Sequence, residues 1–457
     1  MTLPLRLPAL LSCLLVAACA TEPTIQRPDD TVPVPAAWSQ PTAAATTVKF
    51  PDARWWQAFG SAELARLVAQ AEANNPDLAA AGYRIAQASA EARGARAALY
   101  PSIDGSGSGS RSVRGQGQPS SSLSLGLDVS YELDIWGENR ANVDAAVASR
   151  IASEYDREAV ALSLVAEVAT AYFQYLSFSD RLATAEQVLD LSRQVLALIQ
   201  TQARVGTASQ LEVAQQQLTV ANLESALPSL RQQRDQTLNA LAALLGTTAG
   251  TLTLGAESLD EVVLPTVAAG LPSELLQRRP DLRSAEAQIT AAGYTLEAAH
   301  AAMFPSVRLT SGAGLSSDAL QALFQPAGFL ANLAAGLTAP VFDAGRLAAQ
   351  QDSAAAREAI AIESYRAAVL AAFRDVEDAL AAIRYTAERA EIGERALTQA
   401  RRAYNLAAIQ YQAGTTDFIS LLDAQRALAG QLDDQRQIRF DRLAATVDLF
   451  KSLGGGW

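Results

Sequence analysis

Two runs of 68 residues constrain this chain more than any other feature. Between Gly137 and Gly206 there is neither glycine nor proline, and between Gly345 and Gly414 the only breaker is Gly393. A stretch with no helix breaker can continue as one α-helix, and at 1.5 Å per residue each run would reach roughly 100 Å. Helices in globular proteins average about 11–12 residues, so a matched pair this long predicts a coiled-coil or tubular architecture instead of a compact domain. Composition agrees: 49% of residues are hydrophobic, yet mean hydropathy is only +0.07 and aromatics make up 6%, because alanine supplies much of the apolar content.

The runs belong to an internal duplication. Asn75-Pro76-Asp77-Leu78 matches Arg279-Pro280-Asp281-Leu282, and Leu99-Tyr100-Pro101-Ser102 matches Met303-Phe304-Pro305-Ser306. Gly206-Thr207 then matches Gly414-Thr415. Both halves therefore carry the same punctuation in the same order. After each Gly-Thr turn the pattern is helical again, from Gln210 to about Leu245 with a break expected at Pro228, and from Phe418 to about Phe450. Each half is expected to end in an antiparallel helical hairpin.

Strands are predicted at matching places, near 101–114, 122–134, 305–316 and 330–342. The clearest runs from Leu123 to Leu133, where Leu123, Leu125, Leu127, Val129, Tyr131 and Leu133 alternate with Ser124, Gly126, Asp128, Ser130 and Glu132. That period gives one apolar and one polar face, and the length suits a tilted membrane strand. Alternation alone leaves a soluble hairpin with one buried face equally open. Four strands cannot close a barrel, and an open edge in lipid leaves each unpaired backbone group at a cost of several kcal/mol, so a membrane sheet would have to be shared between chains. Three copies would give twelve strands.

The N-terminus reads as a processing signal over residues 1–18. Arg6 precedes an apolar run from Leu7 to Ala18 that is too short to span a bilayer and contains Pro8. Its end, Leu15-Val16-Ala17-Ala18-Cys19, resembles the lipobox of bacterial lipoproteins, which implies acylation of Cys19; an ordinary Ala-x-Ala cleavage site is the alternative. Ala20, in place of Asp, resembles lipoproteins sorted to the outer membrane. Residues 19–60 then form a tether rich in Pro, Thr and Ala over its first part, followed by a first repeat at 61–264 and a second at 265–457. With Cys13 removed and Cys19 acylated, the mature chain has no thiol for a disulfide.

Several function classes fail on composition. A net charge of −12 gives no basic surface for nucleic acid. His300 is the only histidine, which excludes a zinc motif needing two, and the only lysines, Lys49 and Lys451, do not follow a phosphate-loop glycine. No catalytic constellation, metal site or cofactor site is expected.

Across nearly the whole mature chain the sequence resembles the TolC family of outer-membrane factors, in particular the lipoprotein branch serving efflux pumps of the resistance-nodulation-division (RND) type. The resemblance rests on Trp55-Trp56-Gln57-Ala58-Phe59-Gly60, Tyr131-Glu132-Leu133-Asp134-Ile135-Trp136-Gly137, Gly270-Leu271-Pro272-Ser273-Glu274-Leu275-Leu276-Gln277-Arg278-Arg279-Pro280-Asp281, Ala339-Pro340-Val341-Phe342-Asp343-Ala344-Gly345-Arg346 and Leu421-Leu422-Asp423-Ala424-Gln425-Arg426. It implies a mainly α fold with a membrane β-barrel: a homotrimer, anchored in outer-membrane lipid, completes a twelve-stranded barrel and a helical periplasmic tunnel. It further implies an exit duct, not an enzyme, that conducts drugs or toxic compounds from a periplasmic adaptor and an inner-membrane pump. Gly206, Thr207, Gly414 and Thr415 would form the docking tips. Ile419, Asp423 and Arg426 share a helix face by spacing, and with Tyr411 and Glu212 they match the family's gate. Thr416 and Ser420 depart from its pattern. A type I protein-secretion duct and a coiled-coil spacer lipoprotein are the competing readings.

Overall fold

In the computed structural model, residues 33–39, 54–113, 119–267, 269–270 and 272–455 are described. The signal segment, Cys19, most of the tether and residues 114–118 of the first strand connection lie outside them. The chain divides into two compact units, one from Ala86–Ala152 and Ala285–Arg366, the other from Pro33–Ile85, Ser153–Ser284 and Ala367–Trp457.

Each half runs two helices, two strands, a long helix and a shorter helix. The first contains α1 (Ala62–Asn74), α2 (Pro76–Ala97), β1 (Ser102–Ser112), β2 (Ser120–Leu133), α3 (Glu138–Arg204) and α4 (Gln210–Leu244). The second contains α5 (Pro272–Arg278), α6 (Pro280–Ala301), β3 (Ser306–Ser317), β4 (Phe329–Thr338), α7 (Arg346–Gln412) and α8 (Phe418–Ser452). The long helices α3 and α7 have 67 residues each, and α4 and α8 have 35 each. Equal lengths at equivalent places are what the duplicated punctuation requires.

The first unit holds a four-stranded antiparallel sheet in the order β1-β2-β3-β4. Its start and finish follow local chemistry. Asp134 accepts the backbone N–H groups of Asn139 and Arg140, both at 3.0 Å, and so satisfies the first turn of α3 with an anion. In the other half Asp343 does the same for Gly345 and Leu347, again at 3.0 Å. Trp136 stacks on Phe304 at 4.9 Å and its indole donates to the Pro305 carbonyl at 2.7 Å, fastening the end of β2 to the start of β3. Strand β4 stops at Thr338, short of the expected 342, because Pro340 has no N–H for the ladder.

In the second unit, α1 lays Leu64, Leu67, Val68 and Ala71 on one face against Val168, Tyr172 and Phe173 of α3, Leu241 of α4 and Leu443 of α8. Each large apolar side chain withdrawn from water contributes about 1.5–3 kcal/mol. Ser61 caps α1, accepting the Leu64 N–H at 3.0 Å while its hydroxyl donates to Glu257 at 2.6 Å. Tyr172 also donates to Glu257, and burial together with that carboxylate raises its phenol. The most apolar stretch of α3 is thus spent on this core.

The break expected at Pro228 is absent: α4 continues through it. Pro228 lies on the exposed side, where water can satisfy the carbonyl it leaves unpaired, while Val220 and Leu227 pack on Leu182 and Leu189 of α3. Tertiary packing on both sides of the proline outweighs the lost hydrogen bond.

Candidate functional site: strand faces and helical tips

The sheet has two chemically distinct faces. Directly paired residues share a face, and the register places Ile103, Leu127, Leu309, Leu315, Leu333 and Leu337 on one of them. Several of these are open to solvent, Leu127 at 58% and Leu333 at 82%. Among the described residues no second layer covers them, which is unlike the core side of a soluble sheet. The opposite face carries Asp104, Ser106, Ser108, Ser124, Asp128 and Ser130, with Leu330 as an exception. Ser108 and Ser124 share a hydrogen bond at 2.8 Å, and Arg308 reaches Glu132 across β2 and β3 at 2.9 Å. Both outer strands, β1 and β4, have a neighbour on one side only among the described residues.

The two tips lie in the second unit and are built alike. At the first, Gly206 has φ +83° and the Thr207 N–H and hydroxyl both reach the Gln202 carbonyl, at 2.9 and 3.1 Å. At the second, Gly414 has φ +71° and Thr415 makes the same pair of bonds to Gln410, at 2.9 and 3.1 Å. The glycine supplies the left-handed residue and the threonine closes the helix end, so Gly-Thr is a C-capping device.

The following helices start differently. Ser209 accepts the Glu212 N–H at 3.2 Å while the Glu212 carboxylate accepts the Ser209 N–H at 2.7 Å, a reciprocal capping box. The equivalent cap of α8 is Asp417, whose carboxylate accepts the Ser420 N–H at 2.8 Å. The Ser420 side chain and backbone hold the Asp417 carboxyl below its ordinary value. Its folded value being depressed, the cap contributes above the unfolded carboxylate pKa and is lost as pH falls through the folded one. The Ser209 hydroxyl does not titrate. We expect the Ser420 amide to lose hydrogen-exchange protection on acidification while the Glu212 amide keeps its own; parallel loss at both would refute this.

Of the residues singled out as a gate, Ile419, Asp423 and Arg426 share one exposed face of α8, with Asp423 and Arg426 at 3.7 Å and Ile419 55% exposed. Leu422 turns to the buried side. Tyr411 is separate from them: it is buried, packs edge-on against Phe418 at 5.9 Å, and burial, followed by the charge of Glu212, raises its phenol. Glu212 itself is occupied by the Ser209 cap. His300 lies on α6, edge-on to Phe304 at 5.4 Å and 3.3 Å from the Gln351 amide. Sequence reasoning missed a buried polar group formed by Ser192, Gln216 and Gln425, whose signal would have been glutamines recurring on the apolar stripe of paired helices.

Known proteins share this organisation. The family described as outer membrane efflux protein matches residues 67–247 and 271–455. The pyoverdine export outer membrane protein OpmQ of Pseudomonas putida is 38% identical, covering 100% of this chain and 98% of that protein. The toluene efflux pump outer membrane protein TtgI of Pseudomonas putida is 33% identical over 97% of each. Among solved structures, CusC superposes with a TM-score of 0.86 at 30% identity, covering 96% of this chain and 100% of that one, and the outer-membrane channel OprN with 0.87 at 28%, covering 95% and 99%. With agreement over nearly its full length in both sequence and fold, the chain belongs to the outer membrane efflux protein family.

Proposed function

We propose that the chain is the lipid-anchored exit duct of a tripartite efflux pump, working as a homotrimer whose helical tips dock on a periplasmic adaptor coupled to an inner-membrane pump of the RND type. The observation that carries this reading is the sheet, which among the described residues has two unpaired edges and one exposed apolar face. Such a sheet is tolerable in a membrane only if its edges pair with other copies, and three copies make a twelve-stranded barrel with the serine and aspartate face turned to a water-filled lumen. Cys19 is the acylation site in this reading, Gly206-Thr207 and Gly414-Thr415 are the docking tips, and Ile419, Asp423 and Arg426, backed by Tyr411 and Glu212, form the gate. Three copies of Asp423 about an axis would ring the opening with carboxylates and favour cations.

The relatives' names refer to pyoverdine, toluene and cations, all small cargoes, which favours small-molecule efflux over protein secretion. Drugs or toxic compounds are the cargo class proposed here, with selection made by the pump.

The test is to introduce Ala208→Cys at the first tip, cross-link in living cells and identify the captured chain by mass spectrometry. A periplasmic adaptor is the expected product, and the intact mass of the captured duct should show acyl chains at Cys19. A folded, abundant variant that captures no periplasmic protein would overturn docking at this tip.

A further inference from the structure

Behind the tips the hairpins α3–α4 and α7–α8 pack together through an apolar cluster that includes Ile199, Leu397, Tyr404, Phe418 and Leu421. One polar layer sits among these side chains. Ser192 on α3 and Gln216 on α4 are fully buried, and Gln425 on α8 is 3% exposed. Gln216 Nε2 donates to the Ser192 carbonyl and hydroxyl oxygens, both at 2.9 Å, so the tie within the first hairpin is strong. Across to the second hairpin the same Nε2 reaches Gln425 Oε1 at only 3.5 Å, the outer limit of a hydrogen bond. Gln216 Oε1 and Gln425 Nε2 have no partner among the described residues although both are buried.

This arrangement does not serve stability. A buried amide group without a partner carries an uncompensated desolvation cost, whereas a pair of leucines would extend the surrounding apolar cluster at no such cost. What two half-satisfied amides offer is a small difference between joined and separated states. When the hairpins are together the amides are short of partners. When the hairpins part, water supplies the missing bonds.

We propose that Gln216 and Gln425 form a releasable catch between the two hairpins, setting how readily the second hairpin leaves the first at the periplasmic end. They are positioning residues, acting through the helices that carry the gate, and the proposal rests on the gate reading given above. The weak bond crosses between hairpins and the strong ones lie within the first hairpin. Within this layer, separation therefore breaks one poor polar contact and leaves α3 and α4 joined.

The experiment uses the full-length protein in planar bilayers, recording single-channel openings, together with its melting temperature in detergent. Gln216→Leu combined with Gln425→Leu should make openings about tenfold rarer and raise the melting temperature, because the replacement removes unsatisfied amides and adds apolar contact. Gln216→Asn, which shortens the side chain and severs the catch while keeping the polarity, should make openings more frequent. A folded double-leucine variant that opens as often as the parent would overturn the proposal. Should that variant fail to fold, an unchanged opening frequency in Gln216→Asn would do so. The gate reading is tested apart from this by Gln216→Cys with Gln425→Cys, joined by a short thiol-bridging reagent. If bridging leaves conduction intact, the hairpins need not part and the gate reading itself fails. If bridging closes the channel while the leucine pair changes nothing, the gate stands and the catch is wrong.

Discussion

Replacement of Gly246 by alanine is expected to destabilise the second unit by roughly 3–5 kcal/mol, near the upper end for a single methyl group. Gly246 ends α4 with φ +65°, its N–H bonded to the Ala243 carbonyl at 3.0 Å and the next N–H, of Thr247, bonded to Ala242 at 2.9 Å. A Cβ built there would stand 2.2 Å from the Asn74 carbonyl oxygen, which is backbone and cannot swing aside. The junction of α1 and α2 would have to retreat, and Asn75 would lose its place: its side-chain amide donates to the Leu244 carbonyl at 2.9 Å while its Oδ1 accepts the Asp77 and Leu78 amides that start α2. Gly206 supplies the control. Its φ is similarly positive, +83°, but a methyl group added there would meet nothing within 4 Å, so Gly206→Ala should carry only the left-handed strain of about 1 kcal/mol. Melting followed by circular dichroism separates the two, and equal midpoints would refute the close approach at Gly246.

The second large effect concerns the sheet. Leu127 stands near the middle of β2 on the exposed apolar face, and Ser108 stands on the serine face of β1. If the apolar face meets hydrocarbon, Leu127→Arg places a charge near the bilayer midplane at a cost of about 2–4 kcal/mol per chain. Three copies in one barrel would each bear it. Ser108→Arg places the same charge in the water-filled lumen and should insert normally. The measurement is the fraction of each variant assembled in the outer membrane, and equal assembly would show that the two faces have been assigned to the wrong solvents.

Much of this was legible in the residues because it rested on backbone chemistry. The long helices announce themselves through missing glycine and proline, and β2 through a period of two that lipid and water impose on opposite faces. The duplication placed β1, β3 and β4 even where their own alternation was weak. Pro228 misled for a physical reason: propensity is local, whereas the packing of Val220 and Leu227 that carries α4 through the proline depends on α3, about 40 residues earlier. At the tips, glycine and threonine were readable as turn chemistry, and the common face of Ile419, Asp423 and Arg426 followed from spacing. The cap formed by Glu212 had a sequence signal in the Ser209-x-x-Glu212 spacing, whereas the layer formed by Ser192, Gln216 and Gln425 left only a weak one. Glutamine is ordinary on a helix surface, and only the meeting of two hairpins distant in sequence turns these particular ones inward.

An unfinished sheet also has a genetic meaning. Because β1 and β4 each have one strand partner only among the described residues, a barrel must be completed by other copies, and in a three-copy channel a defect in one subunit is imposed on its two neighbours. When sound and faulty copies are made in equal amounts and mix freely, only roughly one channel in eight is wholly sound. Alleles that damage the strands but spare assembly should therefore be dominant, whereas alleles that prevent folding outright should be recessive.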